Sequence, residues 1–277
     1  MGIVNASVDS FSDAGLYPAA SDQAALALAL VDEGADILDI GGQSAITGVP
    51  EIAVDEELGR VIPLIREIHD DRPDIPISVD AYRPAVVEAA LGAGASIVND
   101  VSGLLYPDVA RICAAHGARL VIMHTRAAPK TRLQRADLYD DVVDDVVRFL
   151  GERMAAATDA GLDEASIILD PGVDFTKTPP QTIRLLQGLD RVRALGRPLL
   201  LALSRKDFVG ALTTTSPRDR LAGSLAAVAF VGWAPDTIFR VHDVRETVDL
   251  LKVIGALGGH VALDADLALA DELRHQR

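Results

Sequence analysis

The chain has 277 residues and is strongly acidic, because 26 Lys and Arg stand against 41 Asp and Glu and give a formal net charge of −15. DNA, RNA and anionic membranes bind basic surfaces that displace counterions, so this charge disfavours them as partners. With 49% hydrophobic residues and a mean hydropathy of +0.23, the chain can bury a large core, which excludes disorder over most of its length.

The sequence shows neither a disulfide framework nor a targeting segment. Cys113 is the only cysteine, and we interpret it as a small buried hydrophobe. The N-terminal segment turns polar at Asn5 and lacks the basic and apolar regions of a signal peptide. The most apolar stretch, residues 221–233, is short for a membrane span and contains Gly and Ser. We therefore expect a cytoplasmic protein.

One pattern recurs eight times along the chain: a short apolar run, a polar residue at its end, a Gly-, Pro- or Ser-containing loop and a segment of helical period. The predicted strands cover residues 2–4, 37–38, 77–79, 96–98, 120–123, 166–169, 199–203 and 237–239. Continuously apolar strands are typical of parallel sheets with helical crossovers. We therefore predict an α/β fold, a single (β/α)8 TIM barrel over residues 1–277.

Capping signals place the predicted helices between these strands. Ser21 can cap the first helix, Pro217 stands at the first position of a later one, and Asp243 with Glu246 is typical of a capping box. Residues 139–160 form the longest predicted helix. A doubly wound open sheet is the alternative, but eight regular units without a polar edge strand favour the barrel.

Polar residues end most of the predicted strands, and the active site of such a barrel lies at these carboxyl ends. In chain order they are Asn5, Asp39, Asp80, Asn99, His124, Asp170, Lys206, Arg240 and His242. A single Asp in this position is as often a helix cap or turn residue as a site residue. Capping does not explain why cations gather at the last two strands and carboxylates at the second, third and sixth.

These residue types indicate the chemistry of the ligand. Carboxylates and an amide suit a heterocycle with amino and ring N–H groups, whereas the cations suit an anion or a carbonyl oxygen. We therefore expect a flat amino-substituted heterocycle with a phosphate tail, and Asn5 is placed to hold a phosphate-bound Mg²⁺. A Schiff-base role for Lys206 would leave Arg205 and the carboxylates unexplained. A zinc site from His124 and His242 lacks a third ligand of suitable spacing.

Eight segments resemble the dihydropteroate synthase family. They are GIVNASVDSFSDAG (2–15), DIGGQS (39–44), SVDAYRP (78–84), VNDVSG (98–103), MHTR (123–126), LDPGVDFTKT (169–178), LSRKDFVG (203–210) and RVHDVRET (240–247). The resemblance implies a (β/α)8 barrel, usually a homodimer. It also implies an enzyme that joins 6-hydroxymethyl-7,8-dihydropterin diphosphate to the arylamine p-aminobenzoate in folate biosynthesis, releasing diphosphate with Mg²⁺ present.

The resemblance also implies roles for individual residues. Asp80, Asn99 and Asp170 would bind the pterin nitrogens, while Arg240 and His242 would stack near the ring and bind diphosphate. The expected catalytic residues are Lys206, Arg240 and His242. The expected metal ligand is Asn5. The residues expected to bind the substrates are Ser7, Asp39, Asp80, Asn99, Asp170, Lys206, Asp207, Arg240 and His242.

Three departures from the family pattern affect the second substrate and the leaving group. Ala45 removes a hydroxyl that lines the p-aminobenzoate site, and Ile46 removes a guanidinium that helps to hold diphosphate. Asp207 replaces a Ser that contacts the carboxylate of p-aminobenzoate. An acidic side chain there would repel this carboxylate by about 1–4 kcal/mol at a separation of ~4 Å, or would pair with Arg205 or Lys206.

Three functions are compatible with these departures. The first is a dihydropteroate synthase in which Arg126, Lys130 or Arg132, from the loop after the fifth strand, compensates for the lost guanidinium. The second is a pterin transferase that uses a neutral or cationic amine. The third is a pterin-binding protein with little catalysis. The first is our working hypothesis.

Overall fold

The computed structural model describes residues 1–6, 20–43 and 47–274. Within these ranges, eight parallel strands form one sheet in chain order, so the predicted α/β fold with eight parallel strands is confirmed. The strands are β1 Gly2–Asn5, β2 Leu38–Gly41, β3 Ile77–Asp80, β4 Ile97–Asp100, β5 Arg119–Met123, β6 Ile167–Asp170, β7 Leu199–Leu201 and β8 Thr237–Phe239.

Helices follow the strands, as parallel neighbours require a crossover connection. They are α1 Ala20–Asp32, α2 Val54–Asp71, α3 Pro84–Gly92, α4 Asp108–His116, α5 Val142–Asp159, α6 Pro179–Gln187, α7 Leu189–Arg193, α8 Asp207–Thr213, α9 Leu221–Val231 and α10 Val244–Leu257. None of the helices in the described ranges is long and apolar enough to cross a membrane.

The sheet is curled, with one apolar cluster inside it and another between it and the helices. The inner cluster consists of Met1, Ile97, Val121, Ile168, Leu200 and Ala202, with Ile37 and Ile238 against it. Residues from both ends of the strand order meet there. Backbone hydrogen bonds also join Val241, just after β8, to the first strand and the residue before it, from Ile3 N to Val241 O at 3.1 Å and from Val241 N to Met1 O at 3.0 Å. Cys113 lies buried in the outer cluster, as interpreted from the sequence.

Three local predictions need correction. The predicted helix over 139–160 begins only at Val142, because the Asp141 side chain accepts from the amides of Val143 and Asp144 and caps it there. The Ser-Pro signal before Pro217 starts a short 3-10 turn, Pro217–Asp219, rather than an α-helix. The prediction of a capping box at Asp243 was wrong. Within the described residues the Asp243 side chain makes no capping hydrogen bond, because its carboxylate binds Arg205.

Candidate active site

The register of the parallel strands brings the predicted polar residues to one edge of the sheet. Asn5 lies beside Gly41, Gly41 beside Asp80, and Asp80 beside Asn99. On the other side of β5, Asp170 lies beside Met123. All the carboxyl ends of these strands therefore open toward the same space, as the sequence pattern predicted.

Asp39 is the centre of a buried polar network at this edge. Its side chain is fully buried, and Oδ1 accepts from the Ser78 hydroxyl at 2.6 Å. Oδ2 accepts from Asn99 Nδ2 at 3.2 Å and from Arg240 Nε at 2.6 Å. With these three bonds Asp39 fixes the orientation of Asn99 and Arg240. This geometry fits an orienting role, and direct contact of Asp39 with a substrate stays a prediction.

Arg240 joins the last strand to the second and third strands. Besides Asp39, it binds Asp80, with 3.0 Å between Nη2 and Oδ2. Burial raises the pKa of the Asp80 carboxyl to about 7, while the charge of Arg240 opposes this shift. Because two carboxylates share one guanidinium, Arg240 brings little surplus positive charge to this part of the site.

Asn99 and Asp170 present unsatisfied hydrogen-bonding capacity. Asn99 is only 2% exposed, and its Oδ1 has no hydrogen-bond partner in the part of the chain that the structure describes. Asp170 is 4% exposed, and its Oδ1 accepts from Gly172 N at 2.7 Å. Burial raises the pKa of Asp170, opposed by that bond and by nearby lysines. A buried acceptor without a donor is costly, so this pair is suited to a ligand rich in N–H groups.

Lys206 and His242 follow the last two strands, β7 and β8, where the sequence pattern placed the basic residues. Lys206 directly precedes α8, and its Nζ lies 4.8 Å from the ring centroid of Phe175. Burial lowers the pKa of Lys206. The Ser204 hydroxyl accepts from His242 N at 3.3 Å and lies 3.1 Å from His242 Nδ1, so it holds the ring through its Nδ1 edge and leaves Nε2 for a ligand. Burial lowers the pKa of His242 to about 3.

Asp207 forms neither of the ion pairs that were one of the two alternatives considered for it. Its carboxylate binds Arg220 rather than Arg205 or Lys206, and its side chain is 74% exposed. The Arg205 guanidinium is not available to pair with Asp207, because it binds the Asp243 carboxylate at 2.6 Å. The Arg205 backbone has a φ of +59°. Lys206 is unavailable because it packs over Phe175.

The loop after β5 contributes one of the three cations considered above. Arg126 binds Asp145 at 3.3 Å, and Arg132 is exposed beside Gln134. Lys130 is half-buried, and the charges of Asp80, Glu51 and Glu57 act on its ammonium. Its carbonyl accepts from Gly48 N at 2.9 Å, which ties this loop to the loop after β2. Of the three cations, Lys130 is therefore the one whose charge interacts with Asp80 at the site.

Some predicted residues lie outside the described residues, and some functional candidates were missed. Ser7, Ala45 and Ile46 fall in the segments that are not described. Sequence reasoning passed over Asp174, Phe175 and Lys177, although they lie in the recognised segment 169–178. A buried pair, Glu57 with Arg83, was also missed. The available signal was a lysine within a segment of otherwise apolar and turn-forming residues.

Comparison with known proteins identifies the family of this chain. A profile of the family described as "Pterin binding enzyme" matches residues 1–242, which places the chain in the class of pterin-binding enzymes. A dihydropteroate synthase of Escherichia coli K12 is 38% identical over 256 residues, covering 92% of this chain and 90% of the relative. The chain therefore belongs to the dihydropteroate synthase family.

Two solved structures of Xanthomonas albilineans dihydropteroate synthase are also similar. One contains 4-aminobenzoic acid and the other 7,8-dihydropteroate; the TM-scores are 0.84 and 0.80. Each is 42% identical to this chain, and each alignment covers 93% of this chain and 92% of the relative.

Proposed function

We propose that this protein is a dihydropteroate synthase, which joins 6-hydroxymethyl-7,8-dihydropterin diphosphate to p-aminobenzoate and releases diphosphate. The observation that carries the proposal is the buried pair of Asn99 and Asp170 beside the half-buried Asp80, in which the Asn99 oxygen lacks a partner among the described residues. The ligands of the two Xanthomonas albilineans structures support it.

The pterin end of the substrate fits this set. A pterin presents an amino group and ring N–H groups along one edge, and Asp170 accepts from that edge with the capacity that the Gly172 amide leaves. Asn99 Oδ1 accepts a further N–H, and Asp80 lies beside it. A ligand that replaces water at these acceptors must supply hydrogen-bond donors to them. The site therefore discriminates strongly against ligands without such donors, because they would leave the acceptors unpaired.

The reaction breaks one C–O bond and forms one C–N bond. The bond between the pterin methylene carbon and diphosphate breaks, and its electron pair leaves with the diphosphate oxygen. The lone pair of the arylamine then attacks the methylene carbon, and the nitrogen releases a proton to the medium. The electron-rich pterin stabilises the positive charge on the methylene carbon, while Arg240, Lys206 and the neutral His242 stabilise the leaving oxygens. The protein thus supplies position and electrostatics.

The acceptor fits the corner formed by Phe175 and Lys206. An aromatic acid has an apolar ring and an anionic group, and this corner offers an aromatic face beside an ammonium. Because Asp207 is bound by Arg220 and turned to solvent, its charge opposes the acceptor carboxylate only weakly. Neither alternative function finds an observation of its own.

Asn5 fits the proposed Mg²⁺. It ends β1 beside Gly41, at the edge that receives the diphosphate. No group of three or more His, Cys, Asp or Glu that could hold a metal occurs among the described residues, so the protein offers Asn5 and the substrate offers phosphate oxygens. Mg²⁺ favours this kind of site, with few protein ligands and several phosphate and water oxygens. When bound, the ion would neutralise charge on the departing diphosphate.

Assembly and location complete the proposal. We infer that the sheet closes into a single-domain (β/α)8 barrel, which the bonds between Ile3 and Val241 support. We infer a homodimer from apolar side chains that the described structure leaves exposed on α9 and α10, such as Phe230 at 63% and Leu257 at 83%. The family resemblance supports a cytoplasmic protein.

Genetic complementation tests the proposed function. We expect the gene to restore growth without folate products to a bacterial strain that lacks its own dihydropteroate synthase. The Asp170→Asn variant should not restore growth. Failure of the wild-type gene, with the soluble protein present in the cells, would contradict the proposal. Calorimetry with 6-hydroxymethylpterin would then separate a binding protein from a protein without pterin affinity.

A further inference from the structure

The loop between β6 and α6 has a strained backbone. Gly172, Asp174 and Thr176 have φ values of +69°, +66° and +53°. The conformation costs little at Gly172, where an added Cβ would lie 2.1 Å from the carbonyl oxygen of His124. At Asp174 and Thr176 the left-handed backbone is strained and persists only where the surroundings enforce it. Other contacts must therefore hold this loop.

Lys177 supplies those contacts from inside the loop. Its side chain is fully buried. Nζ donates to Gly172 O at 2.9 Å and to Phe175 O at 3.1 Å, and it lies 2.8 Å from His124 Nδ1. An ammonium has three N–H donors, so these three acceptors use all of them. Burial lowers the pKa of Lys177 to about 7, opposed by Asp170 and other carboxylates.

His124 is fixed as an acceptor for Lys177. It is fully buried just beyond β5, and its Nε2 lies 3.0 Å from Asp145 Oδ1 on α5. Burial lowers the pKa of His124 to about 3, so the ring is neutral. With the ring proton on Nε2 and donated to Asp145, Nδ1 is left to accept from Lys177. The loop is thereby tied through Lys177 to α5.

The loop in turn positions Phe175 and Lys206, the two residues proposed to bind the arylamine. The Phe175 ring lies against Lys206, 4.8 Å from Nζ. Asp174 Oδ2 accepts from the amides of Asp207 at 2.6 Å and Phe208 at 3.3 Å, which fixes the first turn of α8 directly after Lys206. The conformation of the loop therefore sets the relative position of Phe175 and Lys206.

We propose that Lys177 is a positioning residue, which holds the 171–178 loop so that Phe175 and Lys206 form the binding corner for the arylamine. This inference rests on the proposed function and deepens it. Lys177 touches neither substrate in this scheme and acts through Phe175. The pterin contacts of Asp80 and Asn99 lie at strand ends outside this loop, and Asp170 contacts the loop through the Gly172 amide, next to its start.

A double-mutant cycle tests the inference. Lys177→Met keeps a side chain of similar length and removes the donors, and Phe175→Leu removes the ring. For each single variant we expect the KM for p-aminobenzoate to rise about tenfold, as a small misplacement of a binding group produces. The Kd for 6-hydroxymethylpterin should change less than about twofold. Because both variants disturb one contact, the double variant should be no more than about twofold worse than the worse single.

Lys252→Met is the matched control, because Lys252 is a 74% exposed lysine on α10 and should show wild-type constants. Multiplicative effects of the two substitutions, or an unchanged KM in Lys177→Met, would overturn the inference. If Lys177→Met does not fold, Phe175→Leu decides, and an unchanged KM there would overturn it. A wild-type protein inactive on p-aminobenzoate would instead overturn the proposed function together with the inference.

Discussion

The carboxylate of Asp207 accepts a hydrogen bond from Arg220, with 3.1 Å between Oδ1 and Nη1. The guanidinium also donates to Arg205 O at 2.9 Å and Thr215 O at 3.1 Å. It lies so close to α8 that a Cβ at Gly210 would be 2.3 Å from Nη2. The charge of Asp207 is thus offset by a cation that the surrounding backbone holds in place. An aspartate at position 207 is therefore compatible with an acceptor substrate that carries a carboxylate.

Replacement of Asp207 by Ser should therefore have little effect. The carboxylate is mostly exposed and already paired, so its influence on a neighbouring anion is screened. We expect the KM for p-aminobenzoate to change less than about threefold in Asp207→Ser at physiological salt. Steady-state kinetics at several p-aminobenzoate concentrations provide the measurement. A tenfold or larger fall in KM would restore the repulsion that the sequence suggested.

Lys130 should contribute to diphosphate binding. Arg240 already shares its charge with Asp39 and Asp80, so a further cation is needed near the leaving group. We expect Lys130→Met to raise the KM for the pterin diphosphate by about threefold to tenfold, as loss of a partly exposed phosphate contact does. The Kd for 6-hydroxymethylpterin, which lacks phosphate, should not change.

Arg132→Met is the control for Lys130, because Arg132 lies exposed in the same loop. Equal effects of the two substitutions would show that Lys130 acts only through the general field of the loop. An unchanged KM in Lys130→Met would show that it does not bind diphosphate.

Asp170→Asn should abolish tight pterin binding. The amide replaces one acceptor oxygen by a donor that faces the donors of the pterin, and a mismatch of buried groups costs roughly 2–4 kcal/mol. The Kd for 6-hydroxymethylpterin should rise at least about thirtyfold in calorimetry. Because burial raises the pKa of Asp170, loss of its charge should not lower the thermal unfolding temperature. A variant that binds pterin like the wild type would remove Asp170 from the site.

His242 should not titrate during catalysis near neutral pH. Burial lowers its pKa to about 3, and Arg205 and Arg240 lower it as well. The ring therefore stays neutral and binds through hydrogen bonds rather than through a positive charge. We expect that His242 contributes no ionisation to the profile of kcat/KM against pH between about pH 5.5 and 8. The profiles of the wild type and of His242→Gln should therefore have the same shape in this range. A limb near pH 6.5 that disappears in His242→Gln would contradict this assignment.

The same lowered pKa makes stability depend on pH. His242 has a pKa near 3 in the folded protein and an ordinary value of 6.5 when unfolded, so the unfolded chain binds the proton more readily between these values. The free energy of unfolding is therefore not reduced by His242 above pH 6.5. As the pH falls below 6.5 toward 3, protonation of the unfolded chain lowers this free energy by at most about 1.4 kcal/mol per pH unit.

Denaturant unfolding at pH 7 and pH 5 measures this slope. His242→Gln should lose less free energy of unfolding over this interval than the wild type, by up to about 2 kcal/mol. His260→Gln is the control, since His260 is exposed. Equal losses in wild type and His242→Gln would show that the ring is not held neutral.

Local sequence patterns predicted the strands but could not reveal partners that are distant in the chain. The apolar runs located all eight described strands, because burial on both faces requires them. The seventh run was predicted to reach residue 203, but β7 ends at Leu201, since Ala202 and Leu203 are buried without joining the strand ladder. Apolar character reports burial, and burial alone does not define a strand.

The site shows the same division. Polar residues at strand ends could be assigned to the site, since parallel strands bring their carboxyl ends to one edge. The capping box at Asp243 failed because Arg205, 38 residues earlier, takes the carboxylate. Lys177 was missed because its acceptor His124 is 53 residues away. The apolar and turn-forming residues around Lys177 in the sequence indicate burial, but they do not identify its partner.

Formation of dihydropteroate by the purified protein is the most direct test of the proposed synthase activity. The protein is incubated with 6-hydroxymethyl-7,8-dihydropterin diphosphate, p-aminobenzoate and Mg²⁺, and dihydropteroate and diphosphate are both quantified. We expect the two products in equal amounts, with both abolished in Asp170→Asn. Diphosphate release that is independent of p-aminobenzoate, or no release despite measurable pterin binding, would contradict the assignment as a dihydropteroate synthase.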